Sequence, residues 1–144
     1  MRLLLIVAAV MEAGSGLLLL LIPTPTITTL LGVPLGTPSG LVAARIAGAA
    51  LLALGIASWQ VRKGESGNPR LGVVHASLVY FFAATAVFVH AGIRMQLQSE
   101  FLWPAIVIHL ALGSWCLVLV WLSRRKASTA ENGLPKEGSN LPAE

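Results

Sequence analysis

Each of the four apolar segments of this sequence carries an ionisable side chain in the half that ends on one common side: Glu12, Arg45, His90 and His109. A carboxylate, a guanidinium and two imidazoles can form an ion pair, move a proton or bind the polar head of a small molecule. A charged group inside a membrane costs about 2.5–3.5 kcal/mol on insertion scales, so such groups normally face protein or water. These four residues are therefore the candidates for a buried polar or ligand-binding site.

The composition indicates an integral membrane protein. Of the 144 residues, 56% are hydrophobic and only 11% are charged, with a mean hydropathy of +0.79. Soluble domains carry about 25% charged residues. The net charge of +4 comes from basic residues at the ends of apolar segments, which argues against a nucleic-acid partner and favours the lipid bilayer.

Four apolar segments are each long enough to cross a bilayer as a helix, at residues 3–22, 41–61, 71–93 and 101–122. Residues 23–40 contain four prolines and cannot form one regular helix, although a short helical turn at 26–31 fits the sequence. We predict an all-α fold, an integral membrane four-helix antiparallel bundle of residues 1–126. A disordered polar cytoplasmic tail is predicted for residues 127–144.

Basic residues predict the orientation of this bundle. They precede the first segment, separate the second from the third and follow the fourth, at Arg2, Arg62, Lys63, Arg70, Arg124, Arg125 and Lys126. Four crossings place all of these on one side, whereas the other side has only Arg94, next to Glu100. The positive-inside rule then predicts that both termini are cytoplasmic, an N-in/C-in arrangement.

Helix geometry predicts which ionisable residues meet. At 1.5 Å per residue, Glu12 lies about 15 Å below the outer end of its helix, Arg45 about 6 Å and His109 about 12 Å. His90 lies about 5 Å from the same interface, whereas His75 lies near the opposite side. Small residues flank Glu12, so a neighbouring helix can approach it. We predict that Arg45 is the partner of Glu12, with His109 as a second contact.

The predicted pair has two interpretations. As a structural pin it would fix the order of the helices in an accessory or interaction subunit. As a working site it would bind or carry protons or a small molecule, such as a quinone-like compound or a lipid. A homo-oligomer or a larger membrane complex is open under either interpretation.

The sequence contains few of the motifs that would indicate an enzyme or a metal site. The motifs G-x-S-x-G, Walker A, G-x-G-x-x-G and H-E-x-x-H are absent. His90 and His109 differ in predicted depth by about 8 Å, which disfavours a haem held by both. No histidines or carboxylates have metal-ligand spacing, and the single cysteine, Cys116, excludes a cysteine zinc site. We therefore predict no catalytic residue, no metal and no cofactor.

The first two segments resemble those of the DoxX-like family of small bacterial membrane proteins. The likeness lies in MEAGSGL at residues 11–17 and ARIAGAALLALG at residues 44–55. The resemblance covers the four spans and implies a four-helix bundle in a bacterial inner membrane. Some members associate with oxidoreductase systems, but the lack of a cysteine pair here argues against a thiol-redox role.

The predicted orientation can be measured with a reporter fused to the C-terminus. We expect the reporter to be accessible from the cytoplasm only, because the basic residues lie on that side of the four spans. A C-terminal reporter that is accessible only from the periplasm would contradict this orientation.

Overall fold

A computed structural model of the chain describes the backbone of residues 1–63 and 68–132 and the side chains of residues 1–63 and 69–125. All secondary structure in these residues is helical, so the predicted all-α class is confirmed for them. The helices are α1 Arg2–Leu21, α2 Pro23–Leu31, α3 Pro38–Val61, α4 Asn68–Ile93 and α5 Leu102–Asn132. Four of them, α1, α3, α4 and α5, are long and apolar enough to cross a membrane. They correspond to the four apolar segments of the sequence.

Proline and glycine delimit the short helix α2. The helix begins at Pro23, three residues before the predicted turn, because prolines in a first turn lack only an N–H that has no helical partner. It ends at Gly32, whose φ of 78° is left-handed. A Cβ at Gly32 would lie 2.4 Å from the Gln98 carbonyl oxygen, so the α4–α5 loop packs directly against this turn.

The other helix ends also follow local sequence signals. The Thr37 side chain caps α3 by accepting a hydrogen bond from Gly40 N at 3.1 Å. Arg70 of α4 donates hydrogen bonds to the Val61 and Arg62 carbonyl oxygens at the end of α3, at 3.2 and 2.8 Å. Helix α5 continues to Asn132, beyond the predicted start of the tail at residue 127. Residues 133–144 of the predicted tail lie outside the described residues.

Close backbone contact joins α1 to α3. A Cβ added at Gly16 would lie 2.5 Å from Leu52 N, and one added at Gly55 would lie 2.6 Å from Ala13 N. These contacts leave no space for a side chain, so the glycines permit the two antiparallel helices to approach. Helix α4 packs mainly against α5, whereas α1 and α5 touch each other little.

The apolar core occupies one half of the helix assembly. Its buried members are Leu4, Leu5, Ala8, Val74, Phe81, Leu112, Cys116 and Val120. Those on α1 precede Glu12, and those on α5 follow His109. The core therefore lies in the half of the assembly that contains the beginning of α1.

Two glycines of α1 provide a matched test of the α1–α3 contact. We expect Gly16→Ala to lower the free energy of unfolding by about 1–3 kcal/mol, because the new methyl group overlaps the α3 backbone. Gly14→Ala is the control, because nothing lies within 4 Å of a Cβ there. It should leave stability unchanged or raise it by up to about 1 kcal/mol. Unfolding in mixed micelles measures both, and equal effects would contradict the close contact.

Candidate functional site

Glu12 lies at the junction of three helices. Its side chain is buried, with 2% of its surface exposed. Ser58 Oγ of α3 donates a hydrogen bond to Oε2, and Ser77 Oγ of α4 donates one to Oε1, each at 3.1 Å. Both serines are also buried. The carboxylate of α1 is therefore satisfied by one hydroxyl from each of two neighbouring helices.

The glycine contacts explain why Ser58 reaches Glu12. Glu12 lies four residues before Gly16, and Ser58 lies three residues after Gly55, so both polar groups are on the glycine-bearing faces of their helices. Ala13 contacts Gly55 directly. Because α1 and α3 are antiparallel, Glu12, which precedes Ala13, lies level with the residues that follow Gly55. Ser58 is one of these residues.

The predicted pairing of Glu12 with Arg45 is wrong. Arg45 is exposed, and within the described chain no ion pair or hydrogen bond joins it to Glu12. Arg45 follows Ala44 of the buried face by one residue, which turns its side chain by about 100° away from α1. It also precedes Ser58 by 13 residues, so it lies about 20 Å from the level of Glu12 along α3.

The three histidines occupy different environments. His90 is exposed near the end of α4 and is not a buried site residue. The partly buried His75 places its Nδ1 2.7 Å from the Leu71 carbonyl oxygen of its own helix. His109 is also partly buried and is surrounded by three aromatic rings, of Tyr80, Phe81 and Phe88, with centroids 5.3–5.9 Å away. Of the three, only His109 lines a described cavity together with Glu12.

A small cavity connects the surroundings of Glu12 and His109. Its volume is about 20 Å³, and it is lined by Met11, Glu12, Ser15, Tyr80, Phe81, Ile108, His109 and Leu112. A space of this size holds about one water molecule. The structure therefore brings Glu12 and His109 to one small cavity, together with Ser15 and Tyr80.

A larger cavity of about 440 Å³ adjoins the small one and shares five of its lining residues. Its wall is mostly apolar and includes residues of all five helices. They are Met11, Ser15, Leu18, Leu19, Ile22, Pro25, Thr26, Thr29, Leu30, Leu51, Tyr80, Phe88, Phe101, Ala105, Ile108 and His109. The cavity thus occupies the half that the apolar core does not fill.

The larger cavity opens sideways between α1 and α5. Met11 and Leu18 of α1 line it and are 37% and 50% exposed, and Ile108 of α5 is 41% exposed. Helices α1 and α5 make few contacts with each other, so neither closes the gap. At its end, helix α2 covers the cavity and is held by a hydrogen bond that Ser99 Oγ donates to the Thr29 carbonyl oxygen, at 2.5 Å.

Sequence reasoning missed Ser58, Ser77 and Tyr80. The sequence does contain a signal for Ser58, because Ser58 lies one turn after Gly55 on the same face of α3. That buried face also carries Ala44 and Gly48. Ser77 and Tyr80 carry no such signal, because the sequence does not show which face of α4 meets α1. Among the described residues, no group of three or more histidine, cysteine, aspartate or glutamate side chains could hold a metal ion.

No protein-family model, curated protein or solved structure matches this chain. The resemblance to DoxX-like proteins therefore stays a prediction. The geometry of Glu12, His109 and the two cavities is the basis on which function can be argued.

The serine contacts can be tested by stability measurements. We expect Ser58→Ala and Ser77→Ala each to lower the free energy of unfolding by about 0.5–2 kcal/mol, because each removes a hydrogen bond and leaves a buried carboxylate oxygen unpaired. Ser114→Ala is the control, since its hydroxyl bonds only to the Leu110 carbonyl oxygen of its own helix. Arg45→Gln should resemble this control. If Arg45→Gln lowered the free energy of unfolding more than Ser58→Ala, the result would contradict the serine contacts and support a Glu12–Arg45 pair.

Proposed function

We propose that this protein binds a membrane-soluble small molecule or lipid in the 440 Å³ cavity. The observation that carries the proposal is the combination of a mostly apolar wall with a few polar side chains. Ligand sites typically have volumes of about 300–1,000 Å³ and are mostly apolar, with a few placed polar groups. Ser15, Tyr80 and His109 are the polar residues at the end nearest Glu12, and Thr26 and Thr29 of α2 are those at the other end.

The electrostatics of the site favour a ligand without negative charge. The described lining of both cavities contains no lysine or arginine, and the smaller one contains the Glu12 carboxylate. A phosphate or carboxylate head would have no lysine or arginine partner there. An apolar body with a neutral head matches the site better.

The lateral opening supports entry from a bilayer. In this proposal the four long helices span the membrane as one antiparallel bundle, and the gap between α1 and α5 faces acyl chains. The position of Arg2, Arg62 and Arg70 at one end supports cytoplasmic termini. The assignment to a bacterial inner membrane depends on the resemblance to DoxX-like proteins.

The role of an accessory subunit stays a prediction, but it loses the Glu12–Arg45 pair on which it depended. The hydrogen bonds of Glu12 to Ser58 and Ser77 supply a different structural pin. That pin is compatible with ligand binding, because it lies at the inner end of the larger cavity and does not fill it.

Filling the cavity tests the proposed function. We expect the protein purified from its membranes in mild detergent to retain a lipid-sized adduct in native mass spectrometry. Ala105→Phe should reduce the occupancy of that adduct about tenfold or more, because the added ring occupies the cavity and a clash of about 1.4 kcal/mol suffices for a factor of ten.

Val107→Phe on the same helix is the matched control. Val107 is 64% exposed and does not line the cavity, so this variant should retain the adduct. Thermal unfolding should show that both variants are folded. Equal retention by the two folded variants, or no adduct in the wild-type protein, would contradict the proposal.

A further inference from the structure

From the end of the larger cavity nearest Glu12 we infer that the ligand head is a hydroxyl group, so the ligand is a neutral lipid alcohol. The inference rests on the proposed function and specifies the chemistry of that site. It follows from the hydrogen-bonding capacity of His109, Tyr80 and Ser15.

The tautomer of His109 determines what the ligand must supply. His109 Nδ1 lies 2.7 Å from the Ala105 carbonyl oxygen of its own helix. A carbonyl oxygen only accepts hydrogen bonds, so Nδ1 carries a hydrogen and donates it. In a neutral ring Nε2 is then an acceptor. Within the described part of the chain no group donates to Nε2, so a ligand at this end of the cavity must bring a donor.

The neighbouring hydroxyls complete the pattern. Tyr80 and Ser15 line both cavities, and neither hydroxyl is hydrogen-bonded to another described residue. Each hydroxyl can donate one hydrogen bond to a ligand oxygen or accept one from a ligand O–H group. A ligand O–H group can therefore donate to His109 Nε2 while its oxygen accepts from Tyr80 or Ser15.

Other head groups match this end less well. A ketone or an ether can accept from Tyr80 but leaves His109 Nε2 without a donor. A hydrocarbon leaves all three groups unpaired. A carboxylate also lacks a donor and lies beside Glu12, which lines the same small cavity as His109. A buried polar group without a partner lowers affinity, so these heads should bind more weakly than an alcohol.

The experiment compares one chain length with different heads. The full chain is placed in phosphatidylcholine nanodiscs, and retention of tritium-labelled 1-tetradecanol is measured against empty nanodiscs of the same composition. Unlabelled 1-tetradecanol, its methyl ether, a methyl ketone of equal length and tetradecanoate then compete for the label. We expect the alcohol to compete about tenfold better than the ether, the ketone or the acid.

A variant tests the assigned acceptor. His109→Phe retains an aromatic ring among Phe81, Phe88 and Tyr80 but removes Nε2. In this variant the alcohol and its methyl ether should compete to within about twofold, because Nε2 no longer favours the alcohol. An unchanged tenfold preference in the folded variant would overturn the assignment of His109.

The wild-type comparison decides the inference even if the variant does not fold. Equal competition by alcohol and ether would overturn the hydroxyl inference and leave the proposed cavity ligand in place. Stronger competition by tetradecanoate would also overturn it and would indicate a cationic imidazole. No retention of 1-tetradecanol above empty nanodiscs, combined with no adduct in native mass spectrometry, would overturn both the inference and the proposed function.

Discussion

Two hydrogen bonds to one buried carboxylate hold three helices at the same level. Glu12 accepts them from Ser58 and Ser77, and its burial leaves little alternative, because an unpaired carboxylate oxygen in an apolar interior is costly. The packed core lies on one side of this junction and the larger cavity on the other. The carboxylate therefore marks the boundary between a filled half and a hollow half of the molecule.

In the proposed function, the hollow half is the binding site. Its wall is mostly apolar, and Ser15, Tyr80 and His109 lie at the end nearest Glu12. Helix α2 covers the opposite end and is fixed by contacts of Thr29 and Gly32 with the α4–α5 loop. A ligand in this space would meet Ser15, Tyr80 and His109 at one end, Thr26 and Thr29 at the other, and mostly apolar side chains between them.

Much of the helical framework could be predicted from the sequence, but the pairing at Glu12 could not. Long apolar segments identify the four helices that are long and apolar enough to cross a membrane, because segment length and hydropathy are properties of one helix at a time. The partner of Glu12 depends on the register between α1 and α3, which the contacts of Gly16, Gly48 and Gly55 determine. Depths counted from the ends of the helices place Arg45 as the nearest cation to Glu12. They do not show that Ser58 faces Glu12. The cavity was also beyond prediction, since its volume depends on distances between helices.

The gap between α1 and α5 has a consequence for access from the two leaflets of a bilayer. The cavity follows α1 from Met11 to Ile22, a length of about 17 Å, which is close to half of a hydrocarbon core about 30 Å thick. The apolar core fills the remaining length of α1 from Leu4 to Ala8. In a bilayer the gap would therefore sample lipids of a single leaflet, and the transbilayer distribution of the ligand would govern occupancy as strongly as its total amount.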